Sequence, residues 1–199
     1  EDAFYQKGIK IVNWSFASLR NTLTARKPLQ ALDDFKGLKI RAPGRPILLA
    51  MKDLGANPIP MPFAEIHTAM QTGMVDAVER NTFVMQPEGW EKTVRYLNMD
   101  GHSGDVLAIA MNKGRWDKMT PDLKNAIERA SKRASQWAYD YNLKANADVV
   151  AFYEKHGIKV ITYSDQQREQ FVKATENSRK ILTSEIGADL VDKTVRLLN

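Results

Sequence analysis

Leu38 and Ile40 alternate with Lys39 and Arg41, the period-two signature of a strand with one face buried. Pro43 and Gly44 close it. From residue 45 the period lengthens: Ile47, Leu48, Met51 and Leu54 share one face of a helix over 45–54, which Gly55 stops. Residues 57–61, Asn-Pro-Ile-Pro-Met, are held extended, because each proline pushes its predecessor toward β. A second helix over 63–72 turns Ile66, Ala69 and Met70 inward and ends at Gly73; residues 74–78 read as the next strand. Strand, helix, strand, helix and strand at such short intervals predict a parallel sheet with crossover helices, an α/β fold.

The flanks are less regular. Residues 8–13, Gly-Ile-Lys-Ile-Val-Asn, read as a strand, whereas 15–24 mix β-branched and small polar residues and fit neither period. Residues 26–36 read as a loop. A second long strand is expected from Val106 to Met111. Thr120, Pro121 and Asp122 then form a helix start: a hydroxyl cap, a proline at the first turn and an acid near the positive helix end. No glycine or proline interrupts the chain from Asp122 to His156. A helix of that length spans roughly 50 Å and outruns one small lobe, so it is expected to bridge two. Gly157 ends it, and 158–162 return as a strand. Ser164 with Gln167 makes a capping box for a helix to about Leu182, and a last amphipathic helix is expected over about Ala188 to Leu198.

Composition narrows the function classes. The 199 residues are 43% hydrophobic and 27% charged, enough for one large domain or two small lobes. There is no cysteine, hence no disulfide framework, thiolate metal site or thiol nucleophile. The net charge is +5, but no basic run exceeds two residues, unlike the concentrated stripe of a nucleic-acid binder. No run of apolar residues is long enough for membrane insertion, and the start shows no basic-then-apolar leader.

Ligands of open parallel α/β sheets sit beyond the carboxyl ends of the strands. Those ends carry Arg41, then Phe63, then Glu79, Arg80 and Asn81. A guanidinium fork matches a carboxylate, an aromatic ring offers a wall for carbon atoms, and an amide bonds a hydroxyl or carbonyl. Each residue also fits a plainer role: a strand-end arginine as a surface ion-pair partner, Phe63 as a core or staple residue, Arg80 as the partner of Glu79 or Asp76. Their shared sheet edge favours an anion site. Catalytic machinery is thin. His67, His102 and His156 lack metal-ligand spacing and read as solvated or structural, with His102 in a loop. Glu65 and Glu79 form no specific carboxylate pair, and no nucleophile elbow, P-loop or dinucleotide fingerprint occurs. No metal or cofactor is expected.

Three stretches, Asp33–Gly44 (DDFKGLKIRAPG), Leu54–Asn81 (LGANPIPMPFAEIHTAMQTGMVDAVERN) and Lys118–Ala130 (KMTPDLKNAIERA), closely resemble the solute-binding proteins of TRAP transporters, the DctP family. The likeness runs in order over most of residues 14–155. It implies a periplasmic receptor with two α/β lobes, a hinge and one long helix spanning both. Such receptors close around an organic acid and pass it to a membrane permease. The resemblance implies that Arg41 clamps the ligand carboxylate, that Arg20, within Ser-Leu-Arg-Asn-Thr-Leu-Thr, is a second ligand arginine, and that Phe63 packs against the ligand. Arg80 falls where sialic-acid-binding members carry a ligand asparagine: the family turn Asp-Gly-x-Glu-Asn here reads Asp-Ala-Val-Glu-Arg-Asn. The departure argues against sialic acid and for a smaller, more oxidised ligand such as a sugar acid, hydroxy acid or dicarboxylate.

Family members run longer at the N-terminus, so the chain is expected to be a fragment lacking the first part of lobe one. The implied division gives 18–105 and 147–199 to lobe two, and 1–17 and 106–146 to the hinge strands, the long helix and the rest of lobe one. Two alternatives stand beside the receptor: an enzyme acting on a small anionic substrate with Glu79 or His102 as base, and the effector-sensing domain of a regulator.

Overall fold

A computed structural model of the chain describes residues 2–82 and 89–192. Its elements run α1 (Asp2–Gln6), β1 (Ile9–Thr24), β2 (Lys39–Arg41), α2 (Arg45–Asp53), β3 (Asn57–Ile59), α3 (Ile66–Thr72), β4 (Ala77–Arg80), β5 (Tyr96–Asn112), α4 (Lys113–Asp117), α5 (Pro121–Lys155), β6 (Lys159–Ile161), α6 (Asp165–Ala174) and α7 (Glu176–Ile186). The strands form one sheet in the order β3-β2-β4-β1-β5-β6. β2 is parallel to both β3 and β4, as the alternation of strands and helices over 38–78 predicts, and β5 is parallel to β6. β1 runs antiparallel to both of its neighbours, β4 and β5.

Two cores cover the two faces of the sheet. Adjacent residues of β4 point opposite ways: Ala77 packs with Ile40, Leu38, Met51 and Phe35 under α2, while Val78 packs with Leu23, Ile66, Met70 and Leu97 under α3. Val149 and Tyr153, near the end of α5, join the second cluster. A fully buried Leu or Ile side chain contributes about 1.5–3 kcal/mol, so this end anchors the rest. Beyond it, β1 and β5 continue alone as a two-stranded ribbon, paired from Arg20 opposite Ser103 to Ile9 opposite Asn112. α5 follows the ribbon, and Asn13 of β1 donates to Ser135 Oγ at 3.0 Å. The helix is 35 residues long, starts at a Thr120 cap that accepts from the Leu123 amide, and bridges the six-stranded body and the ribbon.

Several expectations need correction. Residues 15–24 belong to the 16-residue β1, and the second long strand starts at Tyr96 rather than Val106. His102 therefore lies within β5, not in a loop. The strand expected at 74–78 starts at Ala77: Gly73 ends α3 in the left-handed region, φ 74°, and three more residues complete the turn. The helix expected from Ser164 to about Leu182 is two helices separated at Thr175. The Ser164–Gln167 capping box is present. The last expected helix is helical over 188–192, and its remainder lies outside the described residues.

Candidate functional site

The parallel arrangement of β2, β3 and β4 brings their carboxyl ends to one sheet edge. Arg41 is the last residue of β2, held between Ile59 and Val78. Phe63 follows β3 after Pro60, Met61 and Pro62, and opens a single 3-10 turn. Arg80 ends β4, and Asn81 follows it. Arg20 comes from the neighbouring antiparallel strand, where a register irregularity separates it from Thr22. All five sequence-predicted residues line one cleft of about 310 Å³, together with Pro43 and Asp105.

The three arginines differ. Every N–H of Arg20 is committed. Nε donates to Glu79 Oε2 at 2.6 Å and Nη2 to Glu79 Oε1 at 2.8 Å and to the Glu79 carbonyl at 3.2 Å. Nη1 spans both oxygens of Asp105 at 2.9 and 3.1 Å. Arg41 is buried, yet its Nε and Nη2 share one acceptor, the Met61 carbonyl, at a long 3.3 Å each. It has no ion-pair partner among the described residues. Burial lowers its pKa, Glu79 opposes that, and Arg20 and Arg80 add to it. An arriving anion would relieve this repulsion. Arg80 lays its guanidinium over the Phe63 ring, 3.6 Å from the centroid, a cation–π contact that covers one ring face. Phe63 is 43% exposed, not the core residue of its plainer reading.

Behind the cleft lies a buried ionic relay. Glu79 is fully buried and also accepts from His102 Nε2 at 3.1 Å; His102 Nδ1 meets Asp100 Oδ1 at 3.0 Å, and Thr22 Oγ1 donates to Asp100 Oδ2 at 2.6 Å. Burial disfavours the charged imidazole, but Asp100 and Glu79 outweigh it and push the pKa up to about 10. His102 is thus a structural imidazolium, not a solvated side chain. The other histidines are bonded outside the cleft: His67 stacks on Trp90, and His156 contacts the Phe152 carbonyl. No three-residue metal-ligand cluster occurs among the described residues.

Asp105 and Pro43 were not singled out from sequence. Asp105 sits in β5 opposite Ser18 and reaches the cleft only through the pairing of β1 with β5, which no local pattern signals. A second cavity, about 330 Å³ between α2 and α6, is mainly apolar. Its charged groups are occupied: Arg168 donates to the Met99 and Asp100 carbonyls, and Asp100 and His102 belong to the relay. Its chemistry is less suited to an anion than the arginine cleft.

Comparison with known proteins bears on family and fold. The family described as bacterial extracellular solute-binding protein, family 7 (DctP), matches residues 1–185. The 2,3-diketo-L-gulonate-binding periplasmic protein YiaO of Escherichia coli K12 is 30% identical over 189 residues, 93% of this chain and 57% of that protein. The sialic acid-binding periplasmic protein SiaP of Vibrio cholerae is 31% identical over 172 residues, 85% of this chain and 52% of that protein. Among solved structures, a TRAP periplasmic solute-binding protein of Ralstonia eutropha with bound (S)-2-acetolactate superposes with a TM-score of 0.90 at 26% identity, covering 96% of this chain and 63% of that one. The sugar acid-binding protein of Advenella mimigardefordensis in complex with galactonate gives 0.88 at 27%, with 96% and 62% covered. The chain thus spans little more than half of these curated relatives. It belongs to the DctP family of bacterial extracellular solute-binding proteins.

Proposed function

We propose that the protein is an extracytoplasmic receptor of TRAP type, located in the periplasm, that binds a small organic acid and passes it to the membrane permease subunits. The observation that carries this reading is Arg41: a guanidinium buried at a strand end, lining a cleft, with a single shared carbonyl for a partner. A carboxylate offers it two acceptors in one plane, the bidentate geometry that guanidinium favours. Arg20 and Arg80 assist. Arg20 adds positive field and fixes Glu79 and Asp105, and Arg80 with Phe63 forms a wall for the ligand's carbon frame. Names of relatives support the ligand class, since they bind 2,3-diketo-L-gulonate, sialic acid or C4-dicarboxylates. The body around β2, β3 and β4 would form one lobe (18–105 with 147–199). The ribbon and most of α5 (1–17 with 106–146) would belong to the hinge and second lobe, so that closure accompanies binding.

Charge-assisted hydrogen bonds contribute about 1.5–3 kcal/mol each, so three of them with Phe63 reach the roughly −8 kcal/mol of micromolar affinity. The candidate bases are poorly placed for turnover: Glu79 is held by Arg20 and His102, and both His102 nitrogens face carboxylates. A thermal-shift screen of small carboxylates on the full-length protein and its Arg41→Ala variant tests the reading. One acid should raise the melting temperature of the first and not the second, and be recovered unchanged. Equal shifts in both proteins would exclude the Arg41 clamp.

A further inference from the structure

The cleft holds acceptors as well as cations. Asn81 is buried, and its amide nitrogen donates to Asp105 Oδ2 at 2.9 Å. An ionised carboxylate only accepts, so the NH2 end of Asn81 must face it and the carbonyl oxygen is turned away. That oxygen, Oδ1, is buried with no hydrogen-bond donor. Asp105 receives two contacts from Arg20 Nη1 and one from Asn81, which leaves acceptor capacity on a carboxylate that offers about four lone-pair sites. Asp105 is the most open member of this chain, with its side chain 31% exposed. Both residues line the same cleft as Arg41.

We infer that Asn81 Oδ1 and Asp105 set specificity by accepting hydrogen bonds from ligand hydroxyls, so that the ligand is a hydroxylated carboxylic acid rather than a plain mono- or dicarboxylate. This rests on the receptor reading and narrows its ligand class. Arg41 takes the carboxylate. A second carboxylate without hydroxyls would supply only acceptors, leave Asn81 Oδ1 buried and unbonded, and set a negative charge beside Asp105. A hydroxyl donates to Oδ1 or Asp105 and still accepts from a guanidinium. Leaving a buried acceptor unpaired carries the full cost of its desolvation, which sets the discrimination.

Matched pairs separate the two ideas. Calorimetric titration of the full-length protein would compare galactonate and gluconate with hexanoate, malate with succinate, and lactate with propionate. The hydroxylated member of each binding pair should be tighter by about 10- to 100-fold, and Asn81→Leu should reduce that advantage to less than about 3-fold. Equal affinity within the pairs, with Arg41→Ala abolishing both, would overturn the hydroxyl inference and leave the receptor reading standing. Binding of no acid in the panel would overturn the receptor reading, and the inference with it. The wild-type pairs decide the question even if Asn81→Leu does not fold.

Discussion

His102 of β5 and Glu79 of β4 meet at 3.1 Å across the intervening strand β1, with Asp100 on the other ring nitrogen at 3.0 Å, so the imidazole is clamped as a cation between two carboxylates. Its folded pKa lies near 10 against an ordinary 6.5. The raised value means that the protonated form is favoured by folding. This contribution is complete below pH 6.5 and is lost as pH rises through about 10. Thermal melts from pH 6 to 10 should therefore show a progressive fall in stability, on the order of a few kcal/mol, that is absent in His102→Gln. An NMR titration should find His102 still protonated at pH 8; a neutral ring at that pH would contradict the clamp.

Arg20 satisfies a fully buried carboxylate, that of Glu79. Arg20→Met should cost about 3–5 kcal/mol in urea denaturation, because a buried charge loses its main partner. The double variant Arg20→Met/Glu79→Gln should recover much of that loss. If the single substitution is nearly neutral, the pair is not buried as described.

Much of this framework is legible from sequence, and the exceptions have physical causes. Thr120-Pro121 and the absence of glycine and proline to His156 mark α5 because start and interruption signals are local. β2, α2 and β3 are equally readable from the change of period at Pro43-Gly44. The end of β1 and the start of β5 are not. Polar residues such as Asn21, Thr22 and Asn98 are buried there through partners far along the chain, so neither segment shows clean alternation. The cleft follows the same rule. Arg41, Phe63, Arg80 and Asn81 are found by counting strand ends and Arg20 by family likeness, whereas Asp105 depends on the pairing of the two ribbon strands.

Phe63 combines exposure with a cation–π contact to Arg80. Phe63→Ala should weaken acid binding by about 5- to 30-fold while changing stability by less than about 1 kcal/mol, since little core packing is lost. A large drop in melting temperature with unchanged affinity would return Phe63 to a structural role.

The ribbon and α5 expose apolar side chains: Trp14, Leu19, Val106 and Leu107 on the strands, both of the last two 59% exposed, and Trp137 on the helix at 67%. Exposure of so many large apolar side chains promotes association. These 199 residues, expressed alone, should sediment as a concentration-dependent mixture and melt with poor cooperativity. A monodisperse monomer with a sharp transition would show that the exposed ribbon needs no cover.

The central claim is that Arg41 holds the ligand carboxylate, and calorimetry of the acid identified by screening, titrated into wild type, Arg41→Ala and Arg41→Lys, tests it most directly. The account predicts that Arg41→Ala loses about 2–5 kcal/mol, roughly 30-fold to several thousand-fold in affinity, with Arg41→Lys recovering only part because an ammonium keeps the charge but not the fork. Wild-type affinity in Arg41→Ala, with the fold intact, would contradict it.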